Sequence, residues 1–309
     1  MALVSVIGAT GRQGLAQIRQ LIVAGHKVRA ISRSENPNLG MTNADIETRQ
    51  MDLYDPATYV PALEGSDAIF YTHPLQARED RSVLAGAVGR AAKQVGAGRF
   101  VWNTSSWIPD KPGDAHTYAG NTAGINELWR SGVPATVFGS VLFMDNLLTN
   151  WARPFIVHES RYVYPHQAHL ESNWISLDDV GKIMVASLDR PDLEGAWMNI
   201  GGPERLKSPE VAGILSKVFG REIKYDPCTP EEFGDLLVAA VESMPEEMRK
   251  PYSEGIAAFY RYNNSSPTQP FKVNTDYMQE RLPEIEFETM YDWAMRQDWS
   301  DEAHRPSGG

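Results

Sequence analysis

The chain has 309 residues, and its 29 Lys and Arg against 40 Asp and Glu give a net charge of −11. This balance offers no general attraction to nucleic acids or anionic membranes, so any phosphate site has to be built locally. Hydrophobic residues make up 42%, enough for a sizeable core. No apolar run approaches the roughly 18 residues of a membrane helix, and the first residues do not resemble a signal peptide. The single cysteine, Cys228, excludes an internal disulfide, and we expect a cytoplasmic protein without nucleic acid or membrane partners.

The first half of the sequence alternates short apolar runs with helical patterns. Buried strands are predicted at 3–7, 28–31, 68–71, 100–102 and 135–138. Helices are predicted at 15–22, after Asp55-Pro56, at 83–95 and at 126–130. This rhythm predicts an α/β fold with a doubly wound parallel sheet of the Rossmann type over residues 1–150.

After about residue 150 the alternation weakens. We predict a helix capped by Asp178 or Asp179, a strand at 197–200, a helix from Ser208, a strand at 222–225 and a polar loop at 262–270. Residues 151–309 are therefore expected to form a smaller, mostly helical substrate-binding portion. Parts of 174–200 are expected to complete the sheet of the first domain.

A glycine-rich loop lies between the first strand and the first helix. Glycine suits a tight turn, a close approach of the backbone to a pyrophosphate, and close packing of helix against sheet. The helix N-terminus then offers free N–H groups to the phosphates. The predicted cofactor contacts in this loop are Gly8, Thr10, Gly11, Arg12, Gln13 and Gly14.

The residue after the second strand indicates which dinucleotide is preferred. A site for NAD places Asp or Glu there, on the ribose 2′-hydroxyl, whereas this sequence has Arg33. An arginine fits a 2′-phosphate by its charge and its fork of donors, and Arg12 could reach the same phosphate. We therefore predict NADP, with NAD less favoured. Asp52 and Leu53, after the third strand, are expected near the adenine.

The ordered set of motifs resembles the NmrA-like branch of the atypical short-chain dehydrogenases. The set comprises residues 8–14, Arg33, 65–68, 132–136, 143–147, 174–180 and 199–204. The resemblance implies a Rossmann-type domain and binding of NADP(H). The family contains reductases of quinones, dyes and plant phenolics, and also dinucleotide-sensing regulators without turnover.

The resemblance also implies where the nicotinamide side of the cofactor lies. Thr72 and His73 follow the fourth strand there, and His73 is a candidate proton relay. Asn121 is aligned with a position where many family members carry lysine.

A lysine expected from the wider superfamily is missing. In its Tyr-x-x-x-Lys motif the tyrosine protonates the substrate oxygen, and the lysine lowers the pKa of the tyrosine. Here Tyr118 is followed at the fourth position by Thr122, and no lysine occurs between Lys111 and Lys182. Three alternatives remain open. Tyr118 acts with help from His116, Ser105 or Ser106; protonation comes from water or from the C-terminal portion; or the protein binds without turnover.

The resulting hypothesis is an NADPH-dependent reductase of a cyclic or aromatic carbonyl, quinone or enone, with Tyr118, Ser105 and His73 as candidate catalytic residues. Residues that could line an aromatic substrate pocket are Trp107, Phe143, Met144 and Trp151. The alternative is an NADP-sensing regulatory protein, for which a protein partner is expected. The string His166, His169 and Glu171 lacks a helix to align it, so no metal site is predicted.

Overall fold

The structure is a computed structural model that describes residues 1–41, 46–74, 79–109, 116–241 and 244–304. Its contacts divide the chain into two compact units. Unit 1 comprises Met1–Ser140, Leu177–Ile200 and Asn274–Glu286, and unit 2 comprises Val141–Ser176, Gly201–Val273 and Phe287–Gly309. The division falls after Ser140 because Leu142 and Phe143 pair with Trp174 and Ile175 of unit 2.

Seven parallel strands form the sheet of unit 1 in the part of the chain that the structure describes. They are β1 (Leu3–Ile7), β2 (Lys27–Ser32), β3 (Ile46–Gln50), β4 (Ala68–Thr72), β5 (Arg99–Asn103), β6 (Ala135–Ser140) and β10 (Trp197–Ile200). Their order is β10-β6-β5-β4-β1-β2-β3. The predicted doubly wound parallel sheet is thereby confirmed.

The helices of unit 1 pack against this sheet through apolar faces. They are α1 (Arg12–Val23), α2 (Tyr59–Leu63), α3 (Arg81–Gln94), α4 (His116–Ser131), α6 (Leu177–Ala186) and α10 (Thr275–Arg281). Buried Ala and Val residues of α3 share one apolar core with Ile125 and Leu128 of α4 and with β4 and β5. Asp178 and Asp179 lie within the first turn of α6, so the predicted cap is wrong, since neither residue precedes the helix.

The strand order reverses between β1 and β4. Strands β1, β2 and β3 follow one another towards one edge of the sheet, and β4, β5 and β6 follow one another towards the other edge. Strand β1 pairs directly with β4. In open parallel sheets, ligands bind in the crevice beyond the carboxyl ends of the strands at such a switch point. The loops after β1 and after β4 begin at this edge, and both carry predicted site residues.

Unit 2 combines two small sheets with helices. Its strands are β7 (Leu142–Phe143), β8 (Arg161–Tyr164), β9 (Glu171–Ile175), β11 (Arg205–Lys207) and β12 (Lys224–Pro227), paired as β11-β9-β7 and β12-β8. Its helices are α5 (Arg153–Glu159), α7 (Ser208–Phe219), α8 (Pro230–Ala239), α9 (Glu246–Ser265) and α11 (Met290–Met295). The predicted loop at 262–270 is wrong in its first part. Helix α9 continues to Ser265 because Tyr260 and Asn263 lie on its buried face.

None of the helices in the described ranges combines the length and the apolar character that crossing a bilayer requires.

Candidate functional site

The glycine loop forms a cradle between β1 and α1. Gly8 has a φ of +80°, a conformation that glycine adopts without strain. A Cβ at Gly14 would lie 2.8 Å from the Cα of Ala9 and closer still to the Gly8 carbonyl oxygen. Glycine at this position therefore lets the first turn of α1 lie directly against the loop. Thr10, Gly11 and Arg12 are exposed, so the helix N-terminus faces open space.

Gln13 connects this helix to the end of β5. Its Nε2 donates to Ser105 Oγ at 2.9 Å, and its Oε1 accepts from Asn103 Nδ2 at 2.8 Å. Asn103 is fully buried, and its Oδ1 accepts from the Ser105 backbone N–H and from Ser140 Oγ. Ser105 itself has a φ of +58°, which is uncommon for a residue with a side chain. The structure thus brings two predicted site residues, Gln13 and Ser105, into one hydrogen-bonded network.

The residues predicted to bind the adenosine half of the cofactor lie just after β2 and β3. The Arg33 side chain is exposed just after β2, and its carbonyl accepts a hydrogen bond from Gln50 Nε2 at 2.9 Å. Asp52 Oδ1 accepts from the Tyr54 backbone N–H at 2.9 Å, and the Leu53 carbonyl accepts from a tyrosine hydroxyl in α2. Asp52 and Leu53 therefore stabilise the turn after β3, and their predicted contact with adenine stays a prediction.

Tyr118 and Asn121 lie on the buried face of α4. Tyr118 is 0% exposed, and its ring packs edge-on against Trp107 with centroids 5.3 Å apart. Asn121 Nδ2 donates to Ser106 Oγ at 2.9 Å and to the Trp107 carbonyl at 2.7 Å. Its buried Oδ1 has no hydrogen-bond partner among the described residues. Thr122 is exposed, so the position of the missing lysine faces away from this interior.

His73 has a specific environment at the end of β4. Its Nδ1 lies 3.0 Å from the hydroxyl of Tyr71, and Tyr71 is fully buried. Burial, and then the nearby Arg81 guanidinium, lower the pKa of His73 to about 4. Burial also raises the pKa of Tyr71 and lowers that of Arg81. At neutral pH this site therefore contains a neutral imidazole, a protonated phenol and a guanidinium cation. Thr72, the preceding residue, accepts a hydrogen bond from Gln17 Nε2 at 3.1 Å.

The other predicted residues are distributed over both units. Within unit 2, Met144 is buried, Phe143 is half-buried, and Trp151 packs edge-on against Phe233 at 5.1 Å. His166 is buried among aromatic rings, whereas His169 is exposed and Glu171 pairs with Lys272 at 3.0 Å. No metal-binding cluster occurs among the described residues. The side chain of His116 lies outside the part that the structure describes.

Sequence reasoning missed Asn103, Tyr71 and Arg81. Asn103 could have been found, because a polar residue at the carboxyl end of an apolar strand is a recognised signal of a site. Tyr71 reads as an ordinary strand residue, and Arg81 as a solvated residue at a helix start. Their roles depend on the approach of α3 to β4, which no local pattern encodes.

Comparisons with known proteins agree with this architecture. The sequence model of the NmrA-like family matches residues 1–294. An NAD(P)H azoreductase of Xenophilus azovorans is 28% identical over 253 residues, which is 82% of this chain and 85% of that protein. The negative transcriptional regulator NmrA, solved in complex with NADP, superposes with a TM-score of 0.74 at 18% identity, covering 96% of this chain and 94% of that one. A triphenylmethane reductase of Citrobacter sp. complexed with NADP(H) superposes with a TM-score of 0.72 at 19% identity, covering 96% of this chain and 99% of that one. The two superpositions show a shared fold.

Proposed function

This chain belongs to the NmrA-like family, and from that premise we propose that it is an NADPH-dependent reductase of a cyclic or aromatic carbonyl, quinone or enone. The observation that carries the proposal is the glycine cradle at the β1 edge. Its missing Cβ atoms leave the backbone accessible beside an exposed helix N-terminus, the arrangement that accommodates a pyrophosphate.

The choice of NADPH over NADH rests on Arg33. This cation follows β2, at the position where a site for NAD would carry a carboxylate. A guanidinium can donate two parallel hydrogen bonds to a phosphate, whereas a carboxylate there would repel one. When bound, NADPH would supply a hydride from its nicotinamide ring. The chain itself would contribute position, exclusion of water and hydrogen-bond donors.

The proposed substrate class is supported by the relatives and by the aromatic content of the chain, which has 8 Trp and 12 Tyr. The azoreductase relative acts, by its name, on an azo group, and a planar acceptor suits a pocket with aromatic walls. Within unit 2, Phe143, Met144 and Trp151 are the proposed contacts for such an acceptor. The proposed compartment, a reducing cytoplasm, rests on the single cysteine.

Turnover is tested by the loss of NADPH absorbance with menadione, methyl red and crystal violet as separate acceptors. We expect oxidation with at least one acceptor and none without an acceptor. Gly11→Val should abolish this activity, because a Cβ at Gly11 already lies 3.3 Å from the Gly8 carbonyl oxygen and a branched side chain would fill the cradle. Gly213→Val, at an exposed position of α7 with nothing within 4 Å, is the matched control. Activity that survives Gly11→Val in a folded protein would contradict the proposal.

A second function is favoured by a specific observation. The superfamily lysine is replaced by Thr122, and Tyr118 is inaccessible to solvent, so the usual proton-donating pair is absent from this structure. An NADP-sensing regulatory protein needs the cradle and no such pair. Binding of NADP⁺ in calorimetry, together with no NADPH oxidation by any of the three acceptors, would favour the regulator over the reductase.

A further inference from the structure

The hydrogen bond between Tyr71 and His73 indicates which ring nitrogen of His73 carries the proton. A buried tyrosine hydroxyl needs an acceptor, and among the described residues its partner is His73 Nδ1, 3.0 Å away. Burial raises the pKa of Tyr71, so the phenol keeps its proton, and Nδ1 is the acceptor that the described residues offer it. The proton of the neutral imidazole must then reside on Nε2. His73 is thereby prepared as a hydrogen-bond donor on the side opposite Tyr71.

Burial, and then the charge of Arg81, lower the pKa of His73 and keep its imidazole neutral. The guanidinium charge of Arg81 disfavours a second positive charge on His73. The buried Nε of Arg81 has no acceptor within the described ranges, an uncommon state for a guanidinium. A Cβ at Gly120 of α4 would lie 3.8 Å from Arg81 Nη1, so the cation approaches the same helix that carries Tyr118. Arg81 therefore places a positive charge beside the helix in which a superfamily member would carry its lysine.

His73 is also better placed to meet a ligand than the two other candidate donors. It lies at the carboxyl end of β4, at the switch point of the sheet, and it is only partly buried. Tyr118 is 0% exposed against Trp107, and the hydroxyl of Ser105 is hydrogen-bonded to Gln13. His73 Nε2 has no hydrogen-bond partner in the described part of the chain.

We propose that His73 is the catalytic residue that donates its Nε2–H to the substrate oxygen on which negative charge develops, with Tyr71 and Arg81 as positioning residues. This inference rests on the proposed reductase function. The imidazole keeps its proton, and the substrate oxygen takes its final proton from water. Such a donor replaces the Tyr–Lys pair by stabilising charge rather than by transferring a proton.

The first test is nitrogen NMR of the full chain labelled at its histidines, with His73 assigned from His73→Gln. We expect the Nε2–H tautomer, a titration midpoint near 4, and a shifted Nε2–H signal when NADP⁺ and menadione are added together. NADP⁺ cannot reduce the quinone, so the complex is stable. Tyr71→Phe should produce a mixture of tautomers. Arg81→Met should raise the midpoint, and the charge-conserving Arg81→Lys should leave it low. An Nδ1–H tautomer in the wild type, or an Nε2–H signal unmoved by both ligands, would overturn the inference.

The second test is kinetic and uses menadione with NADPH. His73→Leu should lower kcat about 10²-fold, the loss typical of one donor to a developing oxyanion, with NADPH affinity little changed. His73→Gln, which returns an N–H donor at nearly the same place, should recover about tenfold of that loss. Equal kcat in His73→Leu and the wild type would overturn the inference. If the wild type oxidises no NADPH at all, the reductase proposal fails, and the NMR shift alone then decides whether His73 donates to a ligand.

Discussion

Replacing Gly14 by alanine tests the close contact on which the cradle depends. A Cβ there would lie 2.8 Å from the Cα of Ala9 and 2.9 Å from the carbonyl carbon of Gly8, where carbon atoms ordinarily stay about 3.5–4.0 Å apart. Both neighbours are backbone atoms, so the start of α1 must move away from the loop by roughly 1 Å. Overpacking of this kind costs about 1–3 kcal/mol, while alanine in a helix gains up to about 1 kcal/mol over glycine. We expect a net loss of stability of up to about 2 kcal/mol.

The same displacement should weaken dinucleotide binding, because the phosphates need the loop and the helix N-terminus together. We expect the Kd for NADPH to rise at least about tenfold, equivalent to about 1.4 kcal/mol. Urea unfolding and calorimetric titration measure the two effects. Gly213→Ala is the control, because it adds a Cβ in open space on α7 and should stabilise the protein by about 0.5–1 kcal/mol without changing the Kd. A Gly14→Ala protein that is as stable as Gly213→Ala and binds NADPH normally would refute the reasoning.

Two further predictions concern buried residues in the two units. His166, packed among the rings of Tyr164, Tyr260 and Phe271, has a pKa lowered by burial to about 3. Its neutral form therefore contributes stability above pH 6.5 that is lost as the pH falls towards 3, at up to about 1.4 kcal/mol per pH unit. In His166→Phe the free energy of unfolding in urea should fall less steeply between pH 6.5 and pH 3. An unchanged slope would contradict a stabilising role for neutral His166. The control is His169→Gln, at an exposed position. Tyr118→Phe should change the kcat for menadione less than His73→Leu does, because the Tyr118 ring is enclosed against Trp107. A fall in kcat of about 10²–10⁴-fold would instead identify Tyr118 as a general acid.

The strands and helices of unit 1 could be predicted because their signals are local. Apolar runs such as 3–7 and 197–200 end in glycine or a turn, and buried parallel strands have this character. The strands of unit 2 are harder to predict from the sequence, since they are short and pair across long sequence distances. Strands β8 and β12, for example, pair Tyr162 with Tyr225. The end of α9 was mistaken because its polar residues, which suggest a loop, lie on a helix anchored by Tyr260.

The residues of the candidate site also include some that the sequence could predict and some that it could not. The glycine loop and Arg33 could be read directly, because each is defined by residue type beside a strand end. The environment of His73 could not, since its properties come from Tyr71 two residues earlier on the same face and from Arg81 on a separate helix. Likewise, nothing local indicates that Gln13 contacts Asn103, because the two residues meet only when the sheet is assembled. Residue type identified the candidates, and packing determined their chemical state.

The most direct test of the central claim is calorimetric titration of the wild type and of Arg33→Asp with NADP⁺ and with NAD⁺. The wild type should bind NADP⁺ at least about tenfold more tightly, because charge-assisted hydrogen bonds from Arg33 to the 2′-phosphate contribute about 1.5–3 kcal/mol. Arg33→Asp should reverse this preference, since a carboxylate repels the phosphate and accepts from the ribose 2′-hydroxyl. Equal affinities in the wild type, or no binding of either dinucleotide, would contradict the account.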